Sequence, residues 1–212
     1  MKKIAILIIV LLITFPANSG TIEGFIYRKP ASPDPPGGIN RYSGRTSIHS
    51  GHIANANIAL VYLTSSSKLK SEKPTKRPKM EQVNQQFRPW LLPVIAGTTV
   101  DFPNSDPIFH NVFSYSKPKK FDLGRYGQGE SKSVTFDEPG LVKVFCEIHK
   151  NMRAYIHVLE TPYFSTTDAS GYYNINEIPP GEYTLHIWQE NLPPHTEKVK
   201  IGESDTLQVN LR

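Results

Sequence analysis

The sequence predicts an all-β protein on three observations. Its apolar segments are short and rich in Val, Ile, Tyr and Phe, they end at Gly, Pro, Asn or Asp turns, and 14 glycines and 18 prolines in 212 residues leave little room for long helices. In chain order, strands are expected over residues 21–27, 56–63, 90–94, 98–102, 109–115, 131–136, 141–146, 154–159, 172–175, 183–188, 197–201 and 206–211. Turns such as Phe102-Pro103-Asn104-Ser105-Asp106 and Asp137-Glu138-Pro139-Gly140 punctuate them. This is β-sandwich spacing. A short helix is allowed only at residues 79–88.

Residues 1–19 read as a secretory leader. Lys2 and Lys3 precede an apolar run over 4–15, and Ala17-Asn18-Ser19 offers a small-x-small cleavage signal before Gly20. The expected location is periplasmic or secreted, and about 193 residues remain after cleavage. Losing Lys2 and Lys3 takes the formal charge from +5 to +3. That charge is too small and dispersed for a nucleic-acid binder, which needs a basic face among stacking aromatics. No second apolar run is long enough for an integral membrane segment.

Two stretches interrupt the strand pattern. Residues 28–52, with Pro30, Pro33, Pro35, Pro36, Gly37 and Gly38, lack apolar periodicity and read as a long exposed loop. Residues 65–79 carry Lys68, Lys70, Lys73, Lys76, Arg77 and Lys79 against Glu72 alone and read as a basic linker. The breaks imply two modules. Residues 80–160 form one, and residues 20–64 plus 161–212 form a sandwich split around it, since neither end alone would bury much of a core.

Cys146 is the single cysteine of a chain bound for an oxidising compartment, where structural cysteines come in pairs. A disulfide framework is excluded, as is a lipid anchor on a cysteine after the leader. A buried inert thiol, an intermolecular bridge, a nucleophile and a metal ligand remain. The neighbours decide: Cys146-Glu147-Ile148-His149-Lys150-Asn151-Met152 places an imidazole and a thioether at three-residue steps after the thiol. Those soft ligands select copper over hard cations, whereas zinc and iron–sulfur sites want more thiolates or imidazoles. A trigonal copper site needs a second imidazole, and His110, 36 residues earlier and just after the turn at 102–107, is the natural supplier. Met152 has a bland alternative as core filler. His157 and His186, inside strands, read as packed or exposed, and His49 and His52 lie in the polar loop.

With these residues in place, segments 102–111 and 140–152 resemble the cupredoxins, and the Cys-x-x-His-x-x-Met loop is similar to that of the amicyanin type. The resemblance implies a Greek-key β-sandwich holding one mononuclear type 1 copper through His110, Cys146, His149 and Met152. Asn111 would tie the two ligand segments together, as outer partners of metal ligands do. It also implies that His149 is the electron port, with Lys150 beside it favouring an acidic redox partner.

The second module carries its own resemblance. The turn Thr167-Asp168-Ala169-Ser170-Gly171-Tyr172 and the strand start Pro180-Gly181-Glu182-Tyr183 look like a transthyretin-like, carboxypeptidase regulatory-like β-sandwich. Residues 80–188 together resemble periplasmic proteins labelled methylamine utilisation or plastocyanin-like. The expected function is single-electron carriage rather than catalysis. Copper enzymes that relay electrons onward commonly place His beside the Cys ligand, and here Glu147 stands there. The alternatives are copper sequestration without a redox partner and an extracellular interaction module with a vestigial copper loop.

Overall fold

The computed structural model describes residues 19–27, 58–67, 69 and 75–211. Nearly all of the expected leader, the whole 28–52 loop and part of the 65–79 linker lie outside these residues. Among the described residues there are sixteen strands and no helix. The chain is all-β, as the apolar pattern requires.

The inner sandwich has a five-stranded sheet. Its strands are β5 (Leu91–Ile95), β7 (His110–Ser116), β8 (Lys119–Tyr126), β10 (Gly140–Phe145) and β11 (Arg153–Leu159), in the order β5-β11-β10-β7-β8. β5 runs parallel to β11, and the other pairs are antiparallel. Facing it are two hairpin-like pairs, β3 (Glu81–Val83) with β4 (Gln86–Arg88) and β6 (Thr98–Pro103) with β9 (Ser131–Phe136). Single bridges Lys79–Asp101 and Gln82–Asn104 join these two pairs. Phe102, Phe136, Val142, Val144, Ile156 and Val158 fill the space between the layers, with Cys146 and Met152 in the same cluster.

The outer sandwich is assembled from the two ends of the chain. One sheet orders β13 (Tyr172–Ile178), β1 (Gly20–Phe25) and β16 (Thr206–Gln208). The other orders β12 (Phe164–Thr166), β2 (Ala59–Thr64), β14 (Gly181–Gln189) and β15 (His195–Ile201). Thus β1 and β2 find all their strand partners beyond residue 163. Ile22, Leu63, Tyr173, Ile175, Leu185 and Ile201 form its core. Gly171 closes the Asp168 turn at φ +86°, with a hypothetical Cβ only 2.6 Å from the Ile26 carbonyl oxygen, so only glycine fits this approach.

β11 reveals how the sandwiches meet. Ala154, Ile156 and Val158 face the inner core, while Tyr155 and Leu159 on the opposite face are equally buried, against Leu60, Trp90 and Leu91. Tyr62 and Trp188 pack around this third cluster. A strand buried on both faces loses the hydrophobic–polar alternation of a half-exposed one.

Two expectations need correction. Residues 79–88 are not helical: they form the β3–β4 hairpin, turning at Asn84 (φ 54°) and Gln85 (φ 55°). Consecutive positive φ values belong to a type I′ turn, whose twist suits paired strands. The end of the expected linker is also structured. Arg77 donates hydrogen bonds to Asp101 and Ser133, and Met80 N–H donates to the Asp101 carbonyl at 2.9 Å. The carboxylate of Asp101 on β6 thereby holds Arg77 against the sheet.

Candidate metal centre

β10 carries the chain into the site and ends at Phe145, immediately before the buried Cys146. The following loop is short because its backbone closes on itself: Met152 N–H donates to the His149 carbonyl at 2.9 Å, and Cys146 N–H donates to the Met152 carbonyl at 3.2 Å. His149 is therefore folded back over Cys146. The chain then leaves along β11, antiparallel to β10.

His110 arrives from the other side as the first residue of β7, fully buried. The preceding turn is organised by Asn104. Its Oδ1 accepts from Asp106 N–H at 3.0 Å, and its Nδ2 donates to the carbonyls of Ile108 at 2.9 Å and Tyr126 at 3.0 Å. An Asx turn of this kind supplies the local reason for an Asn here. It also places Asp106 four residues before His110, close enough for Asp106 Oδ2 to lie 2.7 Å from His110 Nε2.

His110, Cys146 and His149 converge with all ligand atoms within 4.8 Å of one another. The two Nδ1 atoms are 3.1 Å apart, and Cys146 Sγ lies 4.0 Å from His110 Nδ1 and 3.8 Å from His149 Nδ1. Metal bonds of about 2.0–2.3 Å to nitrogen and sulfur, opened at trigonal angles, span about 3–4 Å between ligand atoms. The three donors are spaced to share one ion. The ionised carboxylate of Asp106 accepts a hydrogen bond from His110 Nε2–H, which leaves the Nδ1 lone pair facing the cluster.

The electrostatics agree with that assignment. Burial raises the Asp106 carboxyl, but the backbone N–H of Gln85, the His110 ring and the backbone N–H of Asn84 outweigh it and hold the group below the usual carboxylate range. The Gln85 and Asn84 bonds measure 2.8 and 2.6 Å. Asp106 is thus a fixed anion behind His110. Burial, followed by the proximity of His110, pushes His149 below the usual histidine value, so its imidazole is neutral near pH 7 and free to ligate.

Asn111 follows His110 on β7. Its Oδ1 accepts from Glu147 N–H at 3.3 Å, and its Nδ2 donates to Asp122 Oδ1 at 2.7 Å. The side chain links the His110 segment to the loop after Cys146 and anchors both to β8. Met152 is buried in the core cluster that contains Cys146. His157 and His186 are remote from this triad and belong to the junction between the sandwiches.

Asp106 and the Asn84–Gln85 turn are the functional parts that the sequence reading missed. The signal available was the four-residue spacing Asp106 to His110, a carboxylate within reach of a ligand imidazole.

A family model described as polysaccharide lyase family 4, domain II, matches residues 158–209, whereas the sequence suggested a carboxypeptidase regulatory-like sandwich there. No curated protein matches the chain. Among solved structures, a copper-containing nitrite reductase from Thermus scotoductus SA-01 is 27% identical over 45% of this chain, with a TM-score of 0.39. The chain spans only 25% of that protein's length. A reduced amicyanin variant is 22% identical, with 46% of this chain and 99% of its own covered and a TM-score of 0.37. A purple cupredoxin from Nitrosopumilus maritimus is 24% identical, covering 38% of this chain and 96% of its own at a TM-score of 0.34.

Proposed function

We propose that the protein holds one copper ion of the type 1 class between His110, Cys146 and His149, with Met152 as a weaker fourth ligand, and carries single electrons. The observation that carries this reading is the convergence of two imidazole Nδ1 atoms and one thiol within 4.8 Å. Copper bound there supplies a Cu(I)/Cu(II) couple.

The chain's own residues prepare the site for that role. Asp106 fixes the tautomer and orientation of His110, and Asn111 pins the loop that carries Cys146 and His149. Phe102, Val112 and Val144 keep the thiol in a dry core. A frame held this firmly changes little with the charge at its centre, which lowers the rearrangement required for each electron. The nearby polar groups Asn104, Asp106 and Asn111 are all engaged in holding backbone or ligands, which favours carriage over catalysis.

His149 is only partly buried and serves as the route for electrons to the surface. Ile108, Phe109 and Ile148, all exposed, border the two ligand segments and form an apolar rim for brief docking of a redox partner. Lys150 beside His149 favours an acidic partner surface. The leader places this work in the periplasm or outside the cell.

The test is optical. Copper(II)-loaded protein should show the intense visible band of thiolate-to-copper charge transfer, lost in Cys146→Ser and bleached reversibly by a mild reductant. A colourless copper complex overturns the type 1 assignment. A coloured complex that cannot be reduced and reoxidised leaves sequestration as the function.

A further inference from the structure

The outward face of the β13-β1-β16 sheet differs from an ordinary solvated sheet surface. β1 alternates strictly, with Ile22 and Gly24 turned inward and Glu23 and Phe25 outward, and Tyr27 continues the outward row. Tyr172 and Asn174 stand beside them on β13, and Gln208 and Asn210 on the other flank. By contrast, β15 at the edge of the opposite sheet exposes Glu197, Lys198 and Lys200. Aromatic rings and amides have replaced the charges that normally keep a sheet surface in water.

These side chains line a cavity of about 300 Å³ formed by Glu23, Gly24, Phe25, Tyr27, Tyr172, Gln208 and Asn210. That volume lies at the lower end of small-molecule sites. Phe25 and Tyr27 are parallel within 16° at 5.6 Å, and Tyr172 lies 5.3 Å from Phe25. Tyr27 remains half exposed. Glu23 is held in place by donors on both neighbouring strands: Tyr172 Oη at 2.7 Å, Asn174 Nδ2 at 3.3 Å and Gln208 Nε2 at 3.4 Å. The Tyr172 hydroxyl, the largest influence, together with the two amides keeps the carboxyl below its usual range against the opposing effect of burial.

We infer that this face is a binding site for a neutral saccharide. A sugar ring presents C–H faces that pack on aromatic rings and hydroxyl groups that bond carboxylates and amides, and this cavity offers both. The charge distribution selects the class. Among the described residues that line the cavity there is no Lys or Arg, and the one charged group is an anion. An acidic polysaccharide or a phosphate ester would meet the Glu23 carboxylate, and no described lining residue carries a positive charge to offset the repulsion. The site lies on the outer sandwich and is independent of the copper reading. It would let the outer sandwich hold the protein to a glycan while the inner one works.

Isothermal titration of the full chain, with and without copper, against cellohexaose, xylohexaose, mannohexaose and maltohexaose tests this, with polygalacturonate as the acidic control. At least one neutral hexasaccharide should bind with a sub-millimolar Kd in both metal states. Tyr27→Ala should weaken it at least ~tenfold, and Glu23→Gln should weaken it too, with the unfolding temperature unchanged in Tyr27→Ala. The proposal fails if all four sugars give no heat at millimolar concentration, if Tyr27→Ala binds as the parent does, or if polygalacturonate binds as tightly as the neutral sugars.

Discussion

The molecule holds two pairs of histidines, one at the metal centre and one at the junction of the sandwiches, and burial does not tell them apart. His110 is fully buried and His157 is 9% exposed. What differs is the direction of their lone pairs. His110 gives one nitrogen to Asp106 and turns the other toward His149 and Cys146. His157 lies between the rings of Tyr62 and Trp188, at 5.5 and 6.0 Å, with no hydrogen-bond partner among the described residues for its buried Nδ1. His186 stacks on Tyr62 at 4.7 Å and shares a 2.8 Å hydrogen bond with Thr64. A buried imidazole becomes a ligand when a partner fixes its proton away from converging donors. Without that arrangement it is an aromatic filler with a polar edge.

The largest expected effect breaks the comparison at its root. His110→Ala should abolish the copper charge-transfer band, whereas His157→Phe should leave band position and intensity as they are. Visible spectra of the copper-loaded variants decide it. A loss of colour in His157→Phe with the fold intact by circular dichroism would show that the junction histidines also serve the metal.

The second effect follows from protonation at the junction. Burial first, and the nearby His186 second, depress His157 from the usual histidine value to about 4. The folded state therefore disfavours the charged form. The stability contribution of neutral His157 is fully present above pH 6.5 and is lost as pH falls toward 4, where the folded form itself takes up the proton. The full loss is on the order of 3 kcal/mol. His186, also depressed by burial, adds in the same direction. Urea unfolding at pH 7 and pH 4.5 measures this. His157→Phe should flatten the difference, and an equal pH dependence in parent and variant would remove His157 as the cause.

The third effect concerns the anion behind the ligand. Asp106→Asn keeps one acceptor oxygen in place of two, enough for the Asn84 amide alone or for the Oδ2 partners Gln85 N–H and His110 Nε2, and removes the charge facing His110. Copper affinity should fall about 10–100-fold, read by competition with a chelator. The reduction potential should rise, because the lost negative charge favoured the higher charge of Cu(II). Unchanged affinity and potential would reduce Asp106 to a turn residue.

Much of this was legible in the sequence, for reasons that individual residues make plain. Every expected strand has a counterpart, because Val, Ile and Tyr alternate wherever one face meets the core, and residues 131–136 coincide with β9. β8 escaped notice because Lys119-Lys120-Phe121-Asp122-Leu123-Gly124-Arg125 covers an edge with only its last residue, Tyr126, buried. The triad His110, Cys146 and His149 could be read because its residue types are chemically rare together. Asp106 could not be singled out, since the donors that mark it are backbone amides of a distant hairpin. Those amides were hidden by a wrong period: Met80, Val83 and Phe87 recur at helical spacing, but Asn84 and Gln85 turn the chain back instead.

That hairpin supplies the smallest effect. Asn84 and Gln85 both adopt positive φ, which Asn tolerates and Gln does not favour, and the turn persists because both amides bond Asp106. Gln85 is exposed, so its side chain contributes little. Gln85→Gly keeps the N–H donor and removes the Cβ penalty, giving the Asn-Gly pair that type I′ turns prefer. Stability should rise by about 0.5–1 kcal/mol, seen as a higher urea midpoint, with copper affinity and colour unchanged. Gln85→Pro removes the donor, and copper should then bind more weakly, in the direction of Asp106→Asn. If Gln85→Gly weakened copper binding as much as Gln85→Pro, the Gln85 side chain rather than its backbone N–H would be what holds Asp106 behind His110.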